Sequence, residues 1–378
     1  MVSICLVGCR IHFLPSVSGD VVLTRSIFEA LNKRHDVTLI TTVQKSIMHD
    51  NIESLTNLGY DNVITLPSKD TRYLDALACY NKLIDFHGRS RFDIIHLFEM
   101  PVYSVPLFYH LAKKIDSKML YHVFMPATYF NLKSSLLSRF NDTIIVTSPY
   151  LLKFFKAKKG PPVYLVHPPV DTNTYAPNPN THEKPFTILY IGALLPERFP
   201  LEEVLSAFKL LCENDPKVKM KIVVGPRPIK RSLALISRLK DKLTDEKLRN
   251  RITLMHETLS IKEKIDLINQ ASVVIFPFDR SITSVVDPPL TLLEAMSCGR
   301  TVVASKALSF PYIIKDEHNG FLYARSSVAE LFKVLKKAIY SNNKDYIRTN
   351  ARETIIKQMD TTKVLKQLTG IYKSLANS

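Results

Sequence analysis

Short apolar runs recur along this chain, and most are followed by a longer stretch with helical spacing of apolar and polar residues. Val2–Val7 is continuously apolar, as a strand buried on both faces requires. The loop 8–19 follows, then an amphipathic segment at 21–33 and a second strand at 37–41. Further strands are predicted at 93–99, 119–124, 163–169, 186–191, 220–224, 252–255, 272–277 and 301–304, each bounded by turn residues or polar helical stretches. Residues 230–251 and three C-terminal stretches, the last at 362–375, read as helices. The strand–loop–helix rhythm appears in both halves, so the pattern predicts an α/β protein of two doubly wound domains. The boundary falls at Pro168, and 171–185, rich in Asn, Pro and Thr without a hydrophobic period, reads as a linker.

The most informative stretch is Val285–Ser305. Asp287 is expected as the N-cap of a short helix, with Pro288 at its first position, where a missing N–H costs little. Leu290, Leu293, Ala295 and Met296 give an apolar face, Gly299 is the expected stop, and the apolar run from Thr301 is a buried strand. Such a helix begins at the carboxyl edge of a parallel sheet, where free N–H groups and the positive dipole end favour an anion such as a diphosphate. Glu294 is the one charge in Leu-Leu-Glu-Ala-Met. It needs partners: paired sugar hydroxyls, or a neighbouring Lys or Arg.

Pro289-Leu290 through Glu294-Ala295-Met296, then Cys298-Gly299 and Val302–Ser305, resembles the signature of family 4 retaining glycosyltransferases. The resemblance implies the GT-B fold: two Rossmann-like domains facing a cleft, residues 1–168 for the acceptor and 169–361 for the nucleotide sugar. The C-terminal helix, 362–378, would cross back to the first. It also implies that Glu294, the second glutamate of the family's pair, holds the ribose of the donor. The first glutamate, which contacts the transferred sugar, falls on Val286, with Asp287 one residue away as a substitute. Gly192-Ala-Leu-Leu-Pro-Glu-Arg198 resembles the family's diphosphate site. Gly192 and Arg198 match it, but Ala193 replaces an arginine, so Arg227 or Arg280 would have to supply the second cation. Leu290 and Thr291 would meet the diphosphate at the helix start. In the N-terminal half, Gly19 and Asp20 partly match the family's glycine loop. Asp93-Ile-Ile-His96 resembles the strand ending beside the acceptor, which makes His96 a catalytic candidate and Glu99 an acceptor contact. His122 reads as a core histidine, and Met125 stands where the family commonly has a histidine.

Composition limits the partners. No apolar run approaches the ~20 residues of a membrane span, and the five cysteines have no metal-ligand spacing. They read as buried thiols of a cytoplasmic protein. The net charge of +16 is spread, +6 up to Val170 and +10 after it. No nucleic-acid motif accompanies it, so nucleic acid is not an expected partner. Residues 129–159 combine aromatic residues with Lys153, Lys156, Lys158 and Lys159, the composition of an interfacial helix at the inner face of an anionic membrane; the competing reading is a surface helix packed on the sheet.

The expected activity is transfer of a hexose from a nucleotide-diphosphate sugar to a hydroxyl of a lipid-linked or glycan acceptor, without metal or other cofactor. Val286, Ala193 and Met125 support the alternative of a nucleotide-sugar binder without turnover. A nicotinamide enzyme is disfavoured because Gly8-Cys-Arg-Ile-His-Phe is not a GxGxxG fingerprint.

Overall fold

The computed structural model describes residues 2–14, 19–87, 91–126, 132–179, 186–225, 230–279, 285–324 and 327–378. The chain divides into two compact units, one of residues 1–169, 283–287 and 361–378, the other of 170–282 and 288–360.

In the first unit β1 (Ser3–Gly8), α1 (Gly19–Asn32), β2 (Asp36–Val43), α2 (Met48–Leu58), β3 (Val63–Pro67), α3 (Arg72–His87), β4 (Ile94–Phe98) and α4 (Val105–Lys114) are followed by β5 (Lys118–Val123), α5 (Leu132–Arg139), β6 (Thr143–Val146), α6 (Pro149–Lys156) and β7 (Val163–Leu165). All seven strands are parallel, in the order β3-β2-β1-β4-β5-β6-β7. Parallel strands need helical crossovers on both faces, which explains why β1, β4, β5 and β6 are mostly apolar and almost wholly buried.

The second unit repeats the plan with β8 (Thr187–Ile191), α7 (Leu201–Asn214), β9 (Lys219–Val224), α8 (Lys230–Lys242), α9 (Glu246–Arg249), β10 (Ile252–His256), α10 (Ile261–Gln270), β11 (Val273–Phe276), α11 (Leu290–Ser297), β12 (Thr301–Ser305), α12 (Phe310–Ile313), β13 (Phe321–Tyr323), α13 (Val328–Tyr340) and α14 (Lys344–Gln358). Its six parallel strands run β10-β9-β8-β11-β12-β13. The order reverses between β8 and β11 here, and between β1 and β4 in the first unit. In open α/β sheets such a switch point leaves a crevice at the carboxyl ends of the strands, where ligands bind.

The last helix, α15 (Thr361–Ala376), belongs to the first unit. Its Tyr372 is fully buried, with its hydroxyl 2.6 Å from His96 Nδ1, and Thr369 meets His35 Nε2 at 3.1 Å.

The segment that reads as a linker is, over its described part, a strap on the second unit. Asp171 closes a turn by accepting from the N–H groups of Asn173 and Thr174. Thr172 donates to Asp360, and Arg352 donates to the carbonyls of Thr172 and Tyr175. Polar composition marks the absence of periodic structure, but these tertiary hydrogen bonds hold it in place.

Candidate functional site

In the second unit, Gly192–Arg198 leaves the end of β8 and α11 follows β11. The two strands are parallel neighbours, so both connections emerge at the same sheet edge, at the switch point. Gly192 is needed for packing: a Cβ there would lie 3.2 Å from the Tyr190 hydroxyl. Its N–H donates to the Val223 carbonyl. Burial pushes the Tyr190 phenol upward, and the positive charge of Arg198 opposes that shift. Arg198 is half-buried, and its backbone N–H closes a turn on Leu195. Beside it, Glu197 is buried and takes a two-pronged pair from Arg231 of α8, at 3.1 and 2.8 Å. Arg231 is a cation that motif reading misses, because the crossover between β9 and α8 alone brings it here. Arg227 and Arg280, the expected second cations, lie outside the described residues.

Helix α11 starts later than the sequence suggests. Leu290 is its first residue and Pro289 its N-cap, with no side-chain cap. Asp287 is therefore not the N-cap and Pro288 not the first helical residue. Two successive prolines hold the approach extended, so the chain cannot turn helical before Leu290. The N–H groups of Leu290 and Thr291 have no intrahelical partner by position, and both residues are half-buried. The stop is as expected: Gly299 has φ +62°, and the N–H groups of Gly299 and Arg300 return to the carbonyls of Met296 and Ala295 in a Schellman pair.

Glu294 is 4% exposed. Lys264 of α10 places its ammonium 2.5 Å from Glu294 Oε2. Tyr175 hydrogen-bonds the same carboxylate; burial first, then that negative charge, push its phenol upward, so it stays protonated and donates. Burial and Glu294 likewise raise the Cys298 thiol to about 12. The cysteines are free, and among the described residues no cluster of three His, Cys, Asp or Glu side chains could hold a metal ion.

In the first unit the candidates separate. His96 sits in the middle of β4, not at its end, and is fully buried, stacked on Phe98 at 4.1 Å and bonded to Tyr372. Burial, then the neighbouring His122, hold its pKa well below 6.5. It packs in the core under α15, away from the strand end where its reading as a catalytic candidate placed it. Burial alone lowers His122 to about 3. Glu99 follows β4 in a left-handed conformation (φ +43°) and accepts from the N–H groups of Phe124 and Met125, both at 2.8 Å. Asp287 is fully buried in this unit. It accepts from the Ser148 hydroxyl at 2.6 Å, its N–H donates to Phe124, and its carbonyl accepts from Thr147. Of these, only the Ser148 bond uses the carboxylate; the two backbone bonds fix the residue in this unit, and the side chain is fully buried.

Gly19 starts α1, and a Cβ there would lie 3.1 Å from Val286 Cγ2. The close approach that glycine permits is thus to the side chain of Val286. Asp20 lies 3.8 Å from Arg72 Nη2 in an ion pair.

The interfacial-helix reading of 129–159 is corrected in one respect. Residues 127–131 lie outside the described ones, but in α6 Leu151 and Phe155 are buried, and Leu152 and Phe154 pack against the same core. The apolar stripe is spent on the sheet, and only the lysines face outward. Lys158 and Lys159 join Arg139, Ser135 and Ser138 around a pocket of about 360 Å³. Among the described residues, no helix is long and apolar enough to cross a membrane.

Residues 171–354 match the family model described as Glycosyl transferases group 1. That segment, which contains Arg198, Lys264 and Glu294, is a glycosyltransferase domain. The whole chain has the two-domain GT-B fold of solved glycosyltransferases. It is similar to Anabaena HepE in complex with UDP, with TM-score 0.79 and 17% identity over 99% of this chain and 100% of that one. It is also similar to sucrose-phosphate synthase from Thermosynechococcus elongatus, with TM-score 0.76 and 15% identity over 99% and 100%. The pneumococcal O-GlcNAc transferase GtfA, solved with UDP and GlcNAc, gives TM-score 0.76 and 11% identity over the full length of both chains. No curated protein matches by sequence.

Proposed function

We propose that this glycosyltransferase moves a hexose from a nucleotide-diphosphate sugar to an acceptor hydroxyl with retention of anomeric configuration. The observation that carries the reading is Glu294. It is a buried carboxylate on the helix that begins at the switch point of the second unit, one short helix away from N–H groups free to meet a diphosphate. In this reading Glu294 accepts the ribose hydroxyls, while Arg198, with the N–H groups of Leu290 and Thr291, stabilises the charge that develops on the departing diphosphate. Gly192 lets the backbone near Arg198 approach that group. The complexes of the similar structures, with UDP in HepE and with UDP and GlcNAc in GtfA, are of the same donor chemistry. The acceptor is proposed to be a glycan or a lipid-linked sugar, and the outward lysines of α6 would hold the protein to an anionic membrane electrostatically.

A second reading, nucleotide-sugar binding without turnover, is favoured by Val286: the position of the first family glutamate holds a buried valine packed on Gly19. Incubation with UDP-, GDP- and ADP-sugars and a panel of lipid and glycan acceptors separates the two. Turnover by the natural chain, reduced at least about 100-fold in Glu294→Ala and Arg198→Ala, is expected for the enzyme; losing one such interaction costs about 3–4 kcal/mol of transition-state stabilisation. Tight binding with no turnover on any acceptor supports the binder and refutes the transferase.

A further inference from the structure

Glu294 poses a problem of charge. Ribose hydroxyls are neutral donors and bring no positive charge to a carboxylate that is 4% exposed. The diphosphate attached to that ribose is itself negative. A buried carboxylate serving such a ligand needs its counter-charge from the protein. Lys264 supplies it, with Nζ 2.5 Å from Oε2 and the lysine side chain 22% exposed.

The surrounding bonds fix this arrangement. Lys264 is the fourth residue of α10, whose start is set by a capping box: Ser260 Oγ accepts from the Glu263 N–H, and Glu263 accepts from the Ser260 N–H. The lysine ammonium also lies 5.9 Å over the Tyr175 ring. The carbonyl of Tyr175 accepts from Ser297 Oγ at 2.6 Å, three residues beyond Glu294 in the same helix, and from Arg352. The strap, α10 and α11 therefore meet at one carboxylate.

A carboxylate offers about four acceptor positions on its two oxygens. Tyr175 takes one, and the Lys264 ammonium stands against Oε2 as its counter-ion. We infer that Lys264 and Tyr175 are positioning residues that hold the Glu294 carboxylate in a fixed plane, so that its open acceptor positions meet the cis-diol of the donor ribose. The inference rests on the ribose role proposed for Glu294 and deepens it. Neither residue touches the reacting atoms.

The test separates the two ideas. UDP, GDP and ADP are titrated calorimetrically into the full chain, and the tightest binder is compared with its 2′,3′-dideoxy counterpart. The natural chain is expected to prefer the ribonucleotide at least tenfold, about 1.4 kcal/mol. Lys264→Met should weaken the ribonucleotide until the preference falls below about threefold, leaving the dideoxy compound little changed; Lys264→Arg should restore it, because the charge returns. Tyr175→Phe, which keeps the ring and removes one donor, should lower the preference about threefold, and it serves if the methionine variant does not fold. If both Lys264→Met and Tyr175→Phe keep a tenfold preference, or if Lys264→Met binds the ribonucleotide more tightly because the lysine had been competing with ribose, the positioning role is wrong. If the natural chain shows no preference, the ribose role of Glu294 is wrong, and if none of the three nucleotides binds, the donor-site reading falls with it.

Discussion

At the scale of the residue, burial decides which of the chemically attractive side chains are open to a ligand. Asp287 looks in sequence like a helix cap beside a catalytic motif. In the fold it is fully buried and bonded to Ser148, and Ser148 Oγ in turn accepts from the Leu151 N–H. Asp287→Ala should cost about 1–3 kcal/mol, the penalty for leaving buried hydrogen-bonding groups without a partner, read as a lower urea midpoint. An unchanged midpoint would show those bonds carry no stability. His96 and His122 give a pH signature. Both have folded-state pKa values below 6.5 because burial disfavours the imidazolium. As pH falls from about 6.5 towards about 3 the unfolded chain binds protons that the folded chain refuses, so stability declines, by up to about 1.4 kcal/mol per pH unit for each histidine. Above pH 7.5 neither contributes. His122→Phe should flatten the fall in urea midpoint between pH 6.5 and 5; identical slopes for variant and natural chain would contradict this assignment.

At the scale of the element, the existence of the main strands was legible because a doubly covered parallel strand must be mostly apolar, as β1, β4, β5 and β8 are. Of the strands that escaped the apolar pattern, two show why. In β3 every residue is only half-buried, and β6 is four residues long; neither gives a run distinct from its surroundings. Helix ends were legible where local chemistry sets them, as at Gly299, but not at α11's start, where two prolines and the tertiary pull on Asp287 override an apparent cap. The apolar stripe of α6 was visible in the sequence; whether lipid or the sheet covers it was not. Tyr372 shows how an element is tied down: Tyr372→Phe in α15 removes the bond to a buried His96 Nδ1 and should cost about 1–3 kcal/mol. A thermal or urea midpoint equal to that of the natural chain would mean that apolar packing alone docks the helix.

At the scale of the whole molecule, charge and topology act differently. The net charge of +16 belongs to no single element, and it predicts how the protein meets surfaces without saying anything about its fold. Vesicles rich in anionic lipid should sediment the chain at low ionic strength and release it as salt rises beyond about 0.15 M, where charges more than ~8 Å apart are screened. Replacing Lys153, Lys156, Lys158 and Lys159 by Gln should weaken that binding, with each lysine worth about 1 kcal/mol near the leaflet. Binding that resists salt would point to apolar insertion instead. Topology, by contrast, is what unites the candidate donor residues: because β8 and β11 are neighbours, loops 80 or more residues apart leave one sheet edge together.

The sequence by itself determined the doubly wound α/β class and the helix–strand run from Leu290 to Ser305, since those follow from period and turn chemistry, which are local; Glu294 stood out through a family resemblance. Only the tertiary structure decided what each polar side chain meets. Lys264 and Tyr175 come to Glu294 from 30 and 119 residues away, and His96 is sealed by a tyrosine 276 residues distant. Partners and burial are set by how the chain closes on itself, and nothing in the neighbouring sequence encodes that distance.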